Sequence, residues 1–506
     1  MANHLFARKP LSELLEEMKG EDRLRRVLGP VQLTALGVGC IIGAGIFVAT
    51  GAAAHNIAGP SLMISYMVAG ASCIFAALCY AEFASMAPVA GSAYTYAYAT
   101  LGELFAWIIG WDLILEYAVG AATVANGWSG YFQSVIAKFG LHFPEALAGP
   151  PIVYKAGEFV HTAGVINLPA VLIVTIVTIV LVKGIQESAG FNTLMVFLKL
   201  AAVLFVIGVG AFYVNPQNWH PFAPYGMTGV SFFGYTVAGG TDAGGAPVGM
   251  LAGAAIIFFA YIGFDSVSTH AEEAKRPSRD VPIGIIASLV ICTALYIGVV
   301  AVLTGMVPYD KLSIDAGVSD AFKQAGLPWA ELIIAAAGVA GITSVLLVLM
   351  LSAPRVFLAM ARDGMVPRSF FADVHPRFRT PWRSTILIGV FVALMTGFLP
   401  LDALLHLTNI GTLLAFVIVC TAVLIMRKTN PNAERPFRAP LYPIVPILGI
   451  IMCLLLMFSL PAANWYRLIA WMAIGLVVYF SYGYRHSLMA TRMKQASAAG
   501  SAARRQ

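Results

Sequence analysis

The sequence predicts an all-α integral membrane protein: twelve transmembrane helices, ten of them in a five-plus-five inverted repeat and two appended at the C-terminal end. Three observations carry this expectation. Of 506 residues, 59% are hydrophobic and 11% charged, with a mean hydropathy of +0.81, a balance foreign to a water-soluble globule. The apolar residues gather into long runs bounded by Gly, Pro or charge, most of them long enough, at about 1.5 Å per helical residue, to cross about 30 Å of hydrocarbon. Finally, runs six to ten begin 213 to 227 residues after runs one to five, with the third run the longest of each set and the fourth and fifth joined by a short turn. An odd number of spans per set makes the second copy enter the membrane from the opposite side, which is an inverted repeat. Chance spacing is the competing explanation.

The spans run approximately 31–53, 61–87, 101–135, 167–186, 190–213, 249–272, 282–307, 328–361, 384–399, 403–426, 441–460 and 465–485. They divide the chain into an N-terminal segment (1–30), a first five-helix unit (31–213), an external loop (214–248), a second unit (249–426), a terminal helix pair (441–485) and a tail (486–506). The polar first thirty residues have no apolar centre of the secretory kind, so the first span itself is expected to target the membrane. Even parity puts both ends on one side. Of the 31 Lys and Arg residues, 24 fall on the side of the termini and 5 on the other, so both termini are expected in the cytoplasm of a bacterial cell. The net charge of +6 then reflects orientation and calls for no nucleic-acid partner. All six cysteines lie within apolar runs and read as packing residues, and the nine histidines have no ligand spacing. No nucleophile and base pair is visible, which disfavours an enzyme. Trp465 and Trp471 read as interfacial anchors and packing.

The first span contains GVGCIIGAGIF, Gly37 to Phe47, whose four glycines each cost a helix interior about 1 kcal/mol relative to alanine. Taken alone, Gly39 and Gly43 make a GxxxG pair suited to helix packing. The repeat partner of this span, GMLAGAAIIFFAYIGFDSVSTHAEEAKRP, is also interrupted, by Ala260, Gly263 and an acid, Asp265. Two symmetry-related spans with weak centres are a pointer to a transporter binding site, and they turn the reading from packing to function.

GCIIGAGIF, YAEFASMAPVAGSAYTY (Tyr80 to Tyr96), FFAYIGFDS (Phe258 to Ser266) and EEAKRPSRDVP (Glu272 to Pro282) resemble the amino acid–polyamine–organocation superfamily. Within it the likeness is greatest to the cationic amino acid transporter branch and its bacterial proton-coupled relatives, and it extends to LFARKPLSELL and the ARDGMVP run at Ala361 to Pro367. The resemblance implies a leucine-transporter-type fold and a free amino acid as substrate. It implies that amides around Gly43, Ala44 and Gly45 take the carboxylate, while carbonyls of Ile41, Phe259, Ala260 and Ile262 take the amine, with Phe259 as a gate. The chemistry suits a zwitterion, because a half-helix start offers free N–H groups and a positive dipole end, and an unwound end offers carbonyls.

Ionisable residues at bilayer depth cost about 2.5–3.5 kcal/mol each on insertion scales, so each asks for a reason. Lys199, mid-span, would by position alone either snorkel or act; the resemblance puts it where sodium-coupled relatives hold a cation, touching the broken first span. Its proton is then the expected coupling ion, with no other cofactor. Thr343 and Ser344 match the hydroxyl pair of that cation site and would border the ammonium. By family position Glu116 lies beside the substrate and joins the proton relay; its plainer role is to bond neighbouring hydroxyls. Asp265 is expected to cap the second half of its span. Asp112, one turn from Glu116, receives no role. Glu82, Glu272, Glu273, Lys275, Arg276 and Arg279 sit towards cytoplasmic span ends, as salt bridges or solvated charge. Ile342, near the expected pocket floor, is bulky and apolar, so small neutral amino acids fit at least as well as cationic ones.

The resulting expectation is a secondary-active amino acid transporter, a proton symporter in which spans one, two, six and seven rock against three, four, eight and nine. An amino acid or polyamine exchanger is the alternative within transporters, and a non-transporting membrane amino acid sensor the alternative outside them; short tails disfavour the sensor. The partners expected are the amino acid and the lipid bilayer, with a small membrane-protein partner left open.

Overall fold

The computed structural model describes residues 4–10, 28–86, 92–155, 158–184, 189–232, 235–269, 271, 274–314, 316–378 and 380–491. Most of the N-terminal segment, Glu272, Glu273 and the end of the tail lie outside the described residues. The principal helices are α1 (Pro30–Ile41), α2 (Leu62–Met86), α3 (Ser92–Thr100), α4 (Glu103–Ala137), α5 (Leu168–Lys183), α6 (Ala189–Gly210), α7 (Met250–Ile257), α8 (Pro277–Met306), α9 (Gly317–Gln324), α10 (Pro328–Arg362), α11 (Trp382–Phe398), α12 (Leu401–Thr429), α13 (Ile444–Phe458) and α14 (Ala462–Val478). Their starts follow from local chemistry. Pro30, Pro277 and Pro328 each stand at a first helical position, where the missing N–H costs nothing. Asn167 caps α5 by accepting from the Ala170 amide at 3.4 Å, and Gln32 accepts from the Gly29 amide at 2.9 Å ahead of α1.

Eight helical stretches are long and apolar enough to cross a membrane, and three shorter apolar helices (α5, α11 and α13) accompany them among the described residues. This is a multi-pass membrane protein. One stretch, Pro30–Met86, runs 57 residues, because only a break after Ile41 and a tight turn at Gly59–Ser61 divide it. The all-α expectation needs one amendment: among the described residues, three small antiparallel strand pairs join Ile152–Lys155 with Glu158–His161, Val230–Phe232 with Tyr235–Ala238, and Gly240–Thr241 with Pro247–Val248. They occupy the polar, Gly-rich segments between spans, too short to carry a periodic sequence signal.

The helices pack as two groups. In one, α8 packs on α1 and α2, and α7 packs on α2; α4, α5, α10 and α11 form the other set, with α12 packed on α4 and α13. Near the ends of α2 and α12 a buried charge cluster ties them together. Arg427 Nε donates to Glu82 Oε1 at 2.9 Å, its Nη2 donates to Oε2 at 2.5 Å, and the Ala439 amide adds a third bond at 2.8 Å. Glu82 is thus paired and buried rather than solvated. At the start of the chain, Lys9 Nζ donates to Asp363 at the end of α10 at 3.1 Å, and Tyr94 of α3 donates to the same carboxylate at 2.7 Å. Trp471 stacks on Trp111 with centroids 4.6 Å apart, and each indole N–H bonds the other's carbonyl, so its role is packing.

Candidate functional site

The chain's two interruptions meet. α1 stops at Ile41; Ile42 is extended (φ −73°, ψ 108°), and helical structure resumes in a wide π-type turn at Gly45–Ala49. α7 tightens into a 3-10 turn at Phe258–Tyr261, Ile262 is extended, Gly263 sits at φ +117°, and a short helix follows at Ser266–Thr269. Gly45 is where they touch: a Cβ on it would stand 2.2 Å from the Cα of Ala260, closer than any carbon contact allows. Only glycine permits this crossing.

Around it lies a small cavity of about 10 Å³, lined by Cys40, Ile41, Ala44, Gly45, Val124, Phe259, Ile262, Val345 and Leu349. Ile41 ends α1 and Gly45 opens the next turn, so the lining includes the carbonyl end of one half-helix and the amide end of another, the acceptors and donors that an amino acid's ammonium and carboxylate require; the volume is that of about one water molecule, so an amino acid enters only when the surrounding helices part. Every side chain on its wall is uncharged.

The sequence-derived residues distribute as follows. Ile41, Ala44, Gly45, Phe259 and Ile262 share this cavity, Ala260 packs on Gly45, and Gly43 packs under Val345. Ile342 is fully buried and lies off the cavity wall, which Val345 and Leu349 form further along the same helix face. Glu116 is also elsewhere: it and Asp112 line a second cavity with Gly411 and Thr408 of α12 and Asn464 and Arg467 of α14. Lys199, 1% exposed, donates from Nζ to the Gly39 carbonyl at 2.5 Å, one turn before the first break. Thr343 accepts from the Trp128 indole at 2.9 Å and donates to Val339, while Ser344 donates at 3.1 Å to Gly341, against which the Lys199 side chain packs. Asp265 precedes the short helix after the break and accepts from the Tyr117 hydroxyl at 2.7 Å.

Several residues that sequence reasoning missed hold the breaks open. Asn409 of α12 donates from one amide nitrogen to the carbonyls of Ala255 (2.9 Å) and Ile256 (2.8 Å), satisfying the end of α7. Tyr131 donates to the Phe47 carbonyl at 2.5 Å, within the π-type turn, and Tyr296 of α8 reaches carbonyls of both breaks. Each is a polar residue within a largely apolar span, and an intramembrane polar group is itself a signal; its partner is invisible until the fold brings it near.

Comparisons with known proteins agree with this architecture. A family profile described as "Amino acid permease" matches residues 28–479. The chain is 46% identical over 485 residues to the methylthioribose transporter of Bacillus subtilis (strain 168), covering 96% of this chain and 99% of that protein. It is likewise 46% identical over 488 residues to the branched-chain amino acid permease BcaP of the same organism, with coverage of 96% and 99%. Human cationic amino acid transporter 4 is 37% identical over 429 residues, 83% of this chain and 63% of that longer protein. With a profile match over nearly the whole chain, and relatives that align end to end across both interrupted helices, this protein belongs to the amino acid permease family.

Proposed function

We propose that this chain is a secondary-active symporter that carries a neutral, aliphatic amino acid together with a proton across a bacterial cell membrane. The observation that carries the substrate class is the wall of the cavity at the crossing: Val124, Val345, Leu349, Phe259 and Ile262, with no ionised side chain among them. A cationic side chain would need a carboxylate there, and Glu116 lines the other cavity. One similar protein is named a branched-chain amino acid permease, which agrees with an aliphatic substrate. The amides of Gly43, Ala44 and Gly45 take the carboxylate, the carbonyls of the two breaks take the ammonium, and Phe259 gates the site.

Lys199 is the proton carrier. Protonated, it holds Gly39 and with it the end of α1; losing the proton weakens that charge-assisted bond, so the broken span is released from α6 and α10. The two helix groups supply the bodies of alternating access: α1, α2, α7 and α8 rock on α4, α5, α10 and α11. Twelve spans in a leucine-transporter-type inverted repeat, with both termini cytoplasmic, complete the reading.

The test is uptake of labelled valine or alanine into proteoliposomes with and without an inward proton gradient. The wild type is expected to concentrate substrate only with the gradient, and Lys199→Ala to lose that dependence. Uptake indifferent to the gradient refutes symport in favour of exchange. Binding without any flux would make the protein a sensor. A Lys199→Ala variant that still concentrates substrate removes Lys199 from coupling.

A further inference from the structure

The carbonyls that the two breaks expose are already gathered by one side chain. Tyr296 of α8 places its hydroxyl 2.8 Å from the carbonyl oxygen of Ile41, the last residue of α1, and 3.0 Å from that of Ala260, in the 3-10 turn of the second break. A phenol has one proton, so it donates to one carbonyl at a time while drawing both to the same point. Without it, two carbonyl oxygens of like partial charge would face each other in a dry interior.

The hydroxyl is not free to wander. The Tyr296 ring is fully buried and meets Tyr66 of α2 edge-on at 5.3 Å and Tyr261 of the second break edge-on at 5.5 Å, while Tyr66 and Tyr261 lie 6.2 Å apart. The other two rings are pinned by their own hydroxyls. Tyr261 donates to the Tyr66 carbonyl at 2.9 Å, and Tyr66 shares a 2.7 Å bond with Thr50 beyond the first break. Edge-on aromatic packing and three anchored phenols fix the ring that carries the donor. All three tyrosines belong to the α1, α2, α7 and α8 group, so they move with the breaks rather than across the group boundary.

We propose that Tyr296 is a positioning residue for recognition of the substrate's ammonium: by tying the Ile41 and Ala260 carbonyls together, it sets the spacing of the acceptors that the ammonium uses. Each carbonyl oxygen has two lone pairs, so the phenol occupies one site and leaves the other for an N–H of the substrate. This rests on the amino acid reading above, and it adds that the acceptor geometry is imposed from α8 rather than by the broken helices themselves.

The test compares equilibrium binding of valine with that of 3-methylbutanoate, which has the same carboxylate and side chain but no hydrogen-bond donor in place of the ammonium, to purified protein in detergent. Tyr296→Phe is expected to weaken valine binding about three- to tenfold, the size of one lost hydrogen bond, and to leave 3-methylbutanoate within about twofold. Because removing the hydroxyl could open a void, 4-methylphenylalanine at position 296 fills the same space without a donor and is expected to behave as Phe does. Introducing 4-aminophenylalanine there keeps a donor and is expected to restore valine binding. Unchanged valine affinity with 4-methylphenylalanine overturns the inference, as does equal weakening of both ligands, which would mark a merely structural role. A wild-type protein that binds no amino acid overturns the transport reading and this inference with it; wild-type binding with unaffected variants overturns this inference alone.

Discussion

Gly45→Ala tests whether the crossing of the two breaks is as tight as the geometry says. The added methyl would stand 2.2 Å from the Ala260 Cα and 2.4 Å from its Cβ, where ordinary contact begins at 3.4 Å. At least 1.2 Å must be found, and the obstacle is backbone, which has no rotamer to retreat into. Overpacking of a well-filled core costs about 1–3 kcal/mol, and an unyielding neighbour puts this case at the upper end, about 3 kcal/mol. If the breaks separate to accommodate it, a loss of that size in the bound state is about two orders of magnitude in affinity. Gly43→Ala supplies the comparison. There the nearest atom is a Val345 methyl at 2.5 Å, a side chain that can be shortened. Binding of labelled valine and the thermal midpoint in detergent should therefore show a contrast: Val345→Ala rescues Gly43→Ala, whereas Ala260→Gly fails to rescue Gly45→Ala, because the Cα clash remains. A Gly45→Ala protein that binds and transports within threefold of wild type would refute the crossing as described.

Two further outcomes follow from the residues around it. Asn409→Ala leaves the carbonyls of Ala255 and Ile256 without their side-chain donor, and is expected to cost about 1–3 kcal/mol, read as a lowered thermal midpoint in detergent; an unchanged midpoint would show that water or a shifted neighbour replaces the amide. Val345→Ala removes two methyl-sized groups from the cavity wall, each worth about 0.8 kcal/mol of apolar contact, and should shift preference about tenfold towards longer substrates such as methionine over alanine in competition uptake, whereas Ile342→Ala, off the wall, should leave the profile unchanged.

What could be read from the sequence divides along a physical line. Hydropathy is a property of runs, so helices beginning at Pro30, Leu62, Glu103, Met250 and Pro328 start within a few residues of where the apolar pattern puts them. Both interruptions were legible because glycine inside an apolar span has a cost that asks for a reason, and the reason stands at Gly45 against Ala260. Ile342, expected near the pocket floor, shares one stripe of α10 with Val345 and Leu349, and the packed structure puts those two on the cavity wall. Glu116 differs in both angle and depth, since α4 carries Val124 into the cavity at the crossing and, two turns or more away on another face, turns Asp112 and Glu116 towards α12 and α14. Least legible were Tyr296, Asn409 and Tyr131, whose partners are backbone carbonyls on helices remote in the chain. Carbonyls are present at every position and mark nothing in a sequence; a break becomes a site only when another helix brings a donor to hold its acceptors open. That division assigns the conspicuous glycines to making room and the inconspicuous tyrosine and asparagine to setting geometry, so glycine substitutions should act on all ligands alike and Tyr296 substitutions only on those that carry an ammonium.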